Sequence, residues 1–453
     1  RLFFYPYAQS SVDFKKGNSP ISNYSAGMDI KYGINNSFTL DATLIPDFGQ
    51  VTFDDKELNL TPFEQQFDEN RAFFTEGASL FSKADGLSFR AGNFFYSRRI
   101  GEEISFDEKD YLLNDEEILN YDGKPDLLNS IKITGTTDSG LSIGFINSIT
   151  NNAYARIRNT STGELRKQKI APITNYNILS LTQKFLNEFS SVSLTNTNVY
   201  RSSKDFENAN NSAFVLDLFD NKKKFNIKSI IYQSDSPKFS DVKGFRGLIN
   251  IEELTGNFRY AISWNGVDAN YTQNDLGFYR NINDQRFSAR TRFTTFKPTK
   301  IYNKITGYFF VSERSRFFPK VIKSRGGRAG IDFTTLKLNK FAIDLDYTSS
   351  YKNYDEPRKK DTYIIDPAEF EFQFEFDSDN RKKIQYSLDL AHKYSVNENF
   401  NENKRDFDFG LGIKIRANNK LNFDYRLQNS IQNDDVGQIF KENNIVYFGV
   451  RNV

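Results

Sequence analysis

A strict two-residue alternation constrains this chain more than any other feature. From Phe370 to Asp377 every even-numbered residue is a phenylalanine and every odd-numbered one is an acid or an amide. Because successive side chains of a β-strand point to opposite faces, this places all the rings on one face and all the polar groups on the other. The same alternation resumes from Ile384 to Leu390 after the polar stretch Ser378-Asp379-Asn380. Two alternating runs joined by a short polar link predict a β-hairpin.

Further hairpins of this kind recur along the chain. Residues 26–44 alternate around a turn at Asn35-Asn36, and residues 407–427 alternate around a turn at Asn418-Asn419. Further tight turns are predicted at 138–140, at 220–222 and near Asn339, and no helical period of useful length is found. Between the hairpins lie longer polar links at 150–172, 201–212, 234–244, 267–285, 313–328, 350–361, 397–404 and 433–443. Short turns that alternate with long links are typical of outer-membrane barrels.

Composition narrows the fold class further. Hydrophobic residues make up only 38% of the 453 residues, yet aromatic residues reach 15%, with 45 phenylalanines. No stretch approaches the roughly 18 consecutive apolar residues of a membrane-spanning helix. A soluble β-sandwich or propeller is the alternative, but no fixed repeat is present. We therefore expect an all-β protein: a transmembrane antiparallel outer-membrane β-barrel of about 20 strands, between about 18 and 22, spanning residues 1–453.

Residues 46–129 break the pattern and carry the most distinctive motifs. They include Pro46-Asp47-Phe48-Gly49-Gln50-Val51, Asn59-Leu60-Thr61-Pro62-Phe63-Glu64, Glu69-Asn70-Arg71-Ala72-Phe73-Phe74-Thr75-Glu76-Gly77 and Phe95-Tyr96-Ser97-Arg98-Arg99-Ile100-Gly101, and Asn274-Asp275-Leu276-Gly277-Phe278 follows later. These motifs resemble a Bacteroidota family of outer-membrane barrels of unassigned function. In that family an N-terminal domain similar to family-nine carbohydrate-binding modules precedes the barrel. The resemblance implies carbohydrate contact through that domain; Ala72 stands where the family usually has proline.

The interrupting segment is predicted to be a plug inside the barrel, because large barrels are commonly occluded by an inserted element. Its phenylalanines would form a small core. Its charged residues would pair with one another or with charges in the lumen, and the candidates are Asp47, Glu64, Glu69, Arg71, Glu76, Arg98 and Arg99. A sharper alternative is a calcium site formed by Asp54, Asp55 and Glu57, since calcium prefers carboxylate oxygens. That run lacks a complete ligand loop, so we expect no metal and no cofactor.

Three arginines form a candidate basic ladder in the lumen. Arg286, Arg290 and Arg292 lie on one face of a single predicted strand and could attract anionic substrates. The simpler interpretation is that they pair with lumen carboxylates. The nearly balanced charge of the chain, 60 basic against 58 acidic residues, favours that interpretation and argues against nucleic-acid binding.

No catalytic motif stands out, so we expect a protein that is not an enzyme. The single histidine, His392, shares an apolar strand face with Leu388 and Leu390, which is typical of an aromatic belt at a membrane interface. Two functions remain open: a subunit of a larger outer-membrane complex for envelope protein or glycolipid traffic, or a gated, glycan-associated uptake or export channel. An outer-membrane glycan hydrolase with paired carboxylates is a third alternative. We expect a cell outer-membrane location, with lipid, lipopolysaccharide and other outer-membrane or periplasmic proteins as partners.

Overall fold

The computed structural model describes most of the chain. It covers residues 1–13, 21–45, 64–86, 92–104, 111–354, 362–397, 402–433, 435–442 and 445–451. Four residues singled out in the sequence, Asp47, Asp54, Asp55 and Glu57, lie outside these ranges.

The protein is all-β, and its strands follow the predicted alternation. They are β1 (Leu2–Asp13), β2 (Ile21–Gly33), β3 (Phe38–Leu44), β4 (Glu116–Tyr121), β5 (Leu127–Thr136), β6 (Leu141–Thr150), β7 (Ala153–Asn159), β8 (Leu165–Ala171), β9 (Thr174–Lys184), β10 (Ser191–Arg201), β11 (Ala209–Phe219), β12 (Phe225–Asp235), β13 (Gly244–Glu253), β14 (Phe258–Val267), β15 (Asp284–Thr294), β16 (Tyr302–Ser315), β17 (Ile322–Thr335), β18 (Lys340–Thr348), β19 (Tyr351–Asn353), β20 (Ile364–Asp366), β21 (Glu369–Asp377), β22 (Ile384–Asn397), β23 (Glu402–Arg416), β24 (Asn422–Asn433), β25 (Asp435–Glu442) and β26 (Ile445–Arg451). Described helices are short: α1 (Ala72–Thr75) and the 3₁₀ turns Ala78–Leu80, Ser82–Ala84 and Ser97–Arg99.

Nineteen strands form one large antiparallel sheet: β1–β3, β5, β6, β9–β18 and β21–β24. The predicted hairpins are confirmed. In β21 and β22 Phe372 lies opposite His392, and in β2 and β3 Met28 lies opposite Leu44. The number of strands in the sheet agrees with the expected range. No closed barrel is found among the described residues.

Several predicted boundaries are wrong. The link predicted at 150–172 contains the hairpin β7–β8, which joins β4 in a separate three-stranded sheet. Small two-stranded sheets are also formed by β19–β20 and β25–β26. The segment predicted to end at residue 129 already contains β4 and the start of β5. The sequence does not predict β7 and β8 because both strands are short and rich in charged residues. The alternation of Ala153, Ala155 and Ile157 with polar neighbours is therefore a weak signal.

The chain divides into two compact units. Unit 1 comprises Arg1–Leu218, Lys228–Leu248 and Asp268–Ile282, and it contains α1, the 3₁₀ turns and the three-stranded sheet. Unit 2 comprises Phe219–Ile227, Ile249–Val267 and Asn283–Val453, and it contains β15–β26.

The two faces of the strands in unit 1 differ in composition. In β10 the buried face carries Ser193, Thr195 and Thr197, whereas Leu194 on the opposite face is 43% exposed. In β12 the buried face combines Asn226 and Ser234 with Ile230 and Tyr232, while Ile231 is exposed. The buried face of these strands therefore mixes small polar side chains with apolar ones, and large apolar side chains also lie on the exposed face.

Unit 2 has the same exposed apolar face. Phe258, Ile262, Phe287, Phe309 and Ile343 are all exposed. The alternate face of its strands is polar: Asp344, Glu371 and Asp389 lie on the side opposite to the rings of β21. Because exposed apolar surface of this extent is rare on soluble monomers, the face needs an apolar environment.

Within the described residues, the helices are all too short to cross a bilayer.

Candidate functional site

The candidate site is the part of the predicted plug that the structure describes, residues 64–86 and 92–104, here called the insert. Its aromatic side chains point into the buried face of unit 1. Phe74 and Phe81 join a buried cluster with Ile146 of β6 and Ile178 of β9, and Ile100 of the insert completes it. Such burial contributes about 1.5–3 kcal/mol for each large apolar side chain. The insert therefore shares a core with the strands of unit 1.

Close contacts show how tightly the insert fits the strands. A Cβ atom added to Gly144 of β6 would lie 2.8 Å from a ring carbon of Phe81, so only glycine leaves room for this ring. The hydroxyl of Ser180 donates to the carbonyl of Leu80 at 2.7 Å, and the hydroxyl of Tyr232 donates to the carbonyl of Ala84 at 2.9 Å. Hydroxyl groups of the strands thus satisfy backbone carbonyls of the insert that burial would otherwise leave unpaired.

Lys132 of β5 fixes the segment around α1. Its side chain is 1% exposed, and its ammonium group donates to the carbonyls of Phe73 at 2.6 Å and Glu76 at 2.9 Å. The Asp41 carboxylate lies 3.6 Å away and supplies the counter-charge. The Glu76 carboxylate in turn accepts a hydrogen bond from Lys31, which holds its pKa below the ordinary value.

Arg71 and Glu69 form a bidentate pair inside the insert. Nε and Nη2 of Arg71 bind the two carboxylate oxygens at 2.8 and 2.7 Å, and the same guanidinium donates to the carbonyls of Ser97 and Ile100. Burial alone would raise the pKa of Glu69, but the hydrogen bonds and charge of Arg71 outweigh it and hold that pKa below its usual range. This pair ties the start of the insert to the 3₁₀ turn at Ser97–Arg99.

Arg99 connects two of the sequence motifs. It is 8% exposed, binds the carboxylates of Glu64 and Glu102 at 2.8 Å each, and donates to the carbonyl of Gly277 at 3.2 Å. Burial raises the pKa of Glu102 although Arg99 opposes this. The segments also pair through their backbones, because Asn93 and Phe278 exchange two hydrogen bonds. The connection between β14 and β15 is therefore part of the site.

A buried arginine completes the site. Arg246 of β13 is 1% exposed, and its guanidinium lies 4.6 Å from the ring centroid of Tyr232 and 4.1 Å from that of Tyr279. Two of its nitrogens, Nε and Nη2, have no hydrogen-bond partner among the described residues. Nearby, burial raises the pKa of Asp85 to about 6, although a hydrogen bond from the Phe94 amide opposes the shift. Neither Arg246 nor Lys132 was singled out in the sequence, since strand alternation gives no sign of a partner far along the chain.

The other predicted residues are dispersed. Arg98 donates to the backbone carbonyl of Asp68. In unit 2, Arg290 binds the carboxylate of Glu252 at 2.7 Å and Arg286 donates to the hydroxyl of Ser312 at 3.1 Å, while Arg292 is exposed opposite Arg259. The Nδ1 atom of His392 lies 3.2 Å from the carbonyl of Asp406. No group of three or more potential metal ligands occurs in the described ranges.

Unit 2 contains a cavity of about 450 Å³ on the polar face of β21–β24. Its lining includes the carboxylates of Glu375, Asp389 and Asp408 together with amides from Gln373 and Gln428. A cavity of this lining could accept a hydrated cation or a polar solute.

Comparison with known proteins places the chain in a family. Residues 1–453 match the description "Domain of unknown function (DUF5916)". The chain belongs to the DUF5916 family. No curated protein matches it. Among solved structures, it is similar to the crystal structure of Pseudomonas aeruginosa OccK5 (OpdH), with 7% identity over 74% of this chain and 91% of that one, at a TM-score of 0.38.

Proposed function

We propose that this DUF5916 protein is an integral outer-membrane β-barrel and that the insert is a plug held in its lumen. One observation carries the proposal: large apolar side chains lie on the exposed face of the strands, while the opposite face carries many polar side chains, such as Thr195 and Asn226 in unit 1 and Asp344 and Glu371 in unit 2. A water-soluble β-protein has the opposite arrangement, whereas an outer-membrane barrel turns its apolar side chains to lipid and its polar ones to the lumen. The link to Bacteroidota and to a carbohydrate-binding-like domain stays an expectation from the sequence.

The connections suggest how the barrel is oriented. Hairpins such as β2–β3, β5–β6 and β23–β24 have turns of a few residues, whereas the connections from β3 to β5 and from β14 to β15 are long. In outer-membrane barrels the short turns face the periplasm and the long loops face outward. We therefore assign the end that carries β7 and β8 to the cell surface.

Within this frame we propose a role as a subunit of a larger outer-membrane complex for protein or glycolipid traffic, without enzymatic activity. The anchoring of the insert supports it. Lys132 and the buried rings hold the insert against the strands, and Arg99 bonds the carbonyl of Gly277 outside the insert; these contacts would all have to break for the plug to leave. If the plug stays in place, the surfaces that remain free to act are the outer face of the strands and the loops.

A gated channel is the second candidate, and the cavity in unit 2 favours it. Glu375, Asp389 and Asp408 would give a polar route with a preference for cations. In this case conduction would follow the polar face of unit 2.

The test begins with purification of the tagged protein from its native membrane in a gentle detergent, followed by mass spectrometry of the bound proteins. A stoichiometric set of envelope proteins supports the subunit role. A solitary barrel contradicts it, and planar-bilayer conductance of the full chain and of a chain lacking residues 64–104 then tests the channel. Recovery of the protein outside the outer-membrane fraction would overturn both candidates.

A further inference from the structure

Four asparagines form a row across the exposed face of unit 1. They are Asn147 of β6, Asn177 of β9, Asn198 of β10 and Asn210 of β11, and each lies directly opposite the next in the strand register. Their strand neighbours Ser148, Tyr176 and Val199 are buried, so the asparagines lie on the same side as the exposed apolar residues. Asparagine is depleted in strands, and on a face turned to lipid an amide is costly. A row of four therefore needs an explanation.

The row is only partly satisfied by its own hydrogen bonds. The Asn147 amide donates to the side-chain oxygens of Asn175 and Asn177 at 2.6 and 2.8 Å, and Asn196 donates to Asn210 at 3.0 Å. The side-chain nitrogens of Asn175, Asn177 and Asn210 donate to no acceptor within the described part of the chain. Neutral donors and acceptors in this arrangement fit hydroxyl groups of sugars.

An aromatic ring lies beside the row. Tyr200 is 57% exposed and lies opposite Asn175. An exposed ring next to amides offers an apolar surface for the face of a sugar ring, while its hydroxyl stays in the polar layer.

A cationic surface lies next to the asparagine row along the chain, on the hairpin β7–β8. In the hairpin β7–β8, Arg156 lies directly opposite Lys167, and Tyr154 lies opposite Lys169. Lys167 Nζ lies 3.8 Å from the Tyr154 ring centroid. Within the described residues none of these three cations has an ion pair, although like charges opposite each other destabilise a sheet. An anion between them would remove this repulsion.

The asparagines and the cations follow each other along the chain. On β9 the residues Thr174, Tyr176, Ile178 and Ser180 are buried, so Asn175, Asn177, Leu179 and Leu181 lie on the opposite side. Lys167 and Lys169 come just before them in β8, which belongs to the three-stranded sheet. From the end of β9 back to β8, leucines therefore come first, asparagines next and lysines last.

We propose that the exposed side of β9 and its neighbours, together with the cationic hairpin β7–β8, binds the headgroup of an anionic outer-leaflet glycolipid of the lipopolysaccharide type. The leucines contact acyl chains, the asparagine row and Tyr200 contact the amino-sugar headgroup, and Arg156, Lys167 and Lys169 bind the phosphates and acidic sugars further out. The order of apolar, amide and cationic groups matches the order of these parts in the glycolipid. This inference rests on the proposed location in the outer membrane.

The test measures binding of fluorescent rough-type lipopolysaccharide to the full chain purified in detergent. The triple variant R156Q/K167Q/K169Q is expected to weaken binding by about 100-fold, at about fivefold for each charge near an anionic surface. The double variant N177L/N198L removes amides without removing charge, and a loss of about tenfold is expected for two hydrogen bonds. The matched control K382Q/K383Q/K420Q removes three exposed cations from short turns and should change binding by less than about threefold.

Three results would overturn the inference. The first is that the control K382Q/K383Q/K420Q loses as much affinity as R156Q/K167Q/K169Q. The second is that N177L/N198L binds lipopolysaccharide like the unmodified chain. The third is that phosphatidylglycerol, an anionic lipid without sugar, displaces the labelled lipopolysaccharide as well as unlabelled lipopolysaccharide does. If these results occur in a protein that fractionates with the outer membrane, the glycolipid site alone fails. Absence from the outer membrane overturns the proposed function itself.

Discussion

Replacing Arg99 with methionine tests whether the insert is held in its ordered form as the contacts indicate. Arg99 binds the carboxylates of Glu64 and Glu102, which belong to the insert, and the carbonyl of Gly277, which does not. Breaking a fully buried ion pair costs about 3–5 kcal/mol. The side chains of Glu64 and Glu102 are about half exposed, at 52% and 48%, so water compensates part of that loss. We expect R99M to destabilise the ordered insert against opening by about 2–3 kcal/mol.

Thiol labelling measures this effect directly, because the chain contains no cysteine. Ala84 of the insert is 1% exposed, so a cysteine introduced there reacts with a maleimide only when the insert opens. A loss of 2–3 kcal/mol corresponds to a labelling rate about 30- to 150-fold higher. R99K keeps the positive charge but loses the planar guanidinium group that can bind two acceptors at once, so it should raise the labelling rate by a smaller factor.

Arg98 provides the matched control. It is the neighbouring residue with the same charge, but it is half-buried, and its guanidinium donates to the backbone carbonyl of Asp68. R98M should change the labelling rate by less than about fivefold. Equal rates for R98M and R99M would refute the claim that Arg99 stabilises the ordered insert.

Two further predictions use the same reporter. Gly144→Val places atoms against the Phe81 ring and should weaken docking of the insert by about 1–3 kcal/mol. Gly307→Val is the control, because a Cβ atom there meets only one atom, at 3.9 Å, and docking should stay unchanged. Equal effects of the two substitutions would contradict the packing argument. Asp85, with a pKa raised to about 6, favours docking in its protonated form, so docking should weaken as the pH rises from about 4 through 6, by at most about 3 kcal/mol. Asp85→Asn should remove this dependence and slow labelling at pH 8, and an unchanged pH profile would show that another group is responsible.

The sequence predicts the sheet well because strand alternation is a local signal. The rings of Phe370–Phe376 and the turn at Asn418-Asn419 appear as predicted, since each depends on neighbours within a few residues. For the hairpin β7–β8 the sequence predicts a loop, because its charged residues outweigh the alternation of its small buried ones.

The contacts of the insert could be predicted only in part. The motif around Arg99 and the motif around Gly277 were both noted in the sequence, but 178 positions separate these residues, and only the fold shows that they meet. Lys132 and Arg246 were missed for a related reason. Each stands at an ordinary position of an alternating strand, and the groups that make it important come from distant parts of the chain.

The most direct test of the central claim is a cysteine scan of β21 in the native outer membrane. Single cysteines at residues 370–376 are labelled with an environment-sensitive fluorophore and exposed to brominated lipid or to an aqueous quencher. A barrel wall predicts strict alternation, with lipid quenching at the positions of Phe370, Phe372, Phe374 and Phe376 and aqueous quenching at Glu371, Gln373 and Glu375. Uniform aqueous quenching along the strand, or no alternation, would contradict the account of this protein as an outer-membrane barrel.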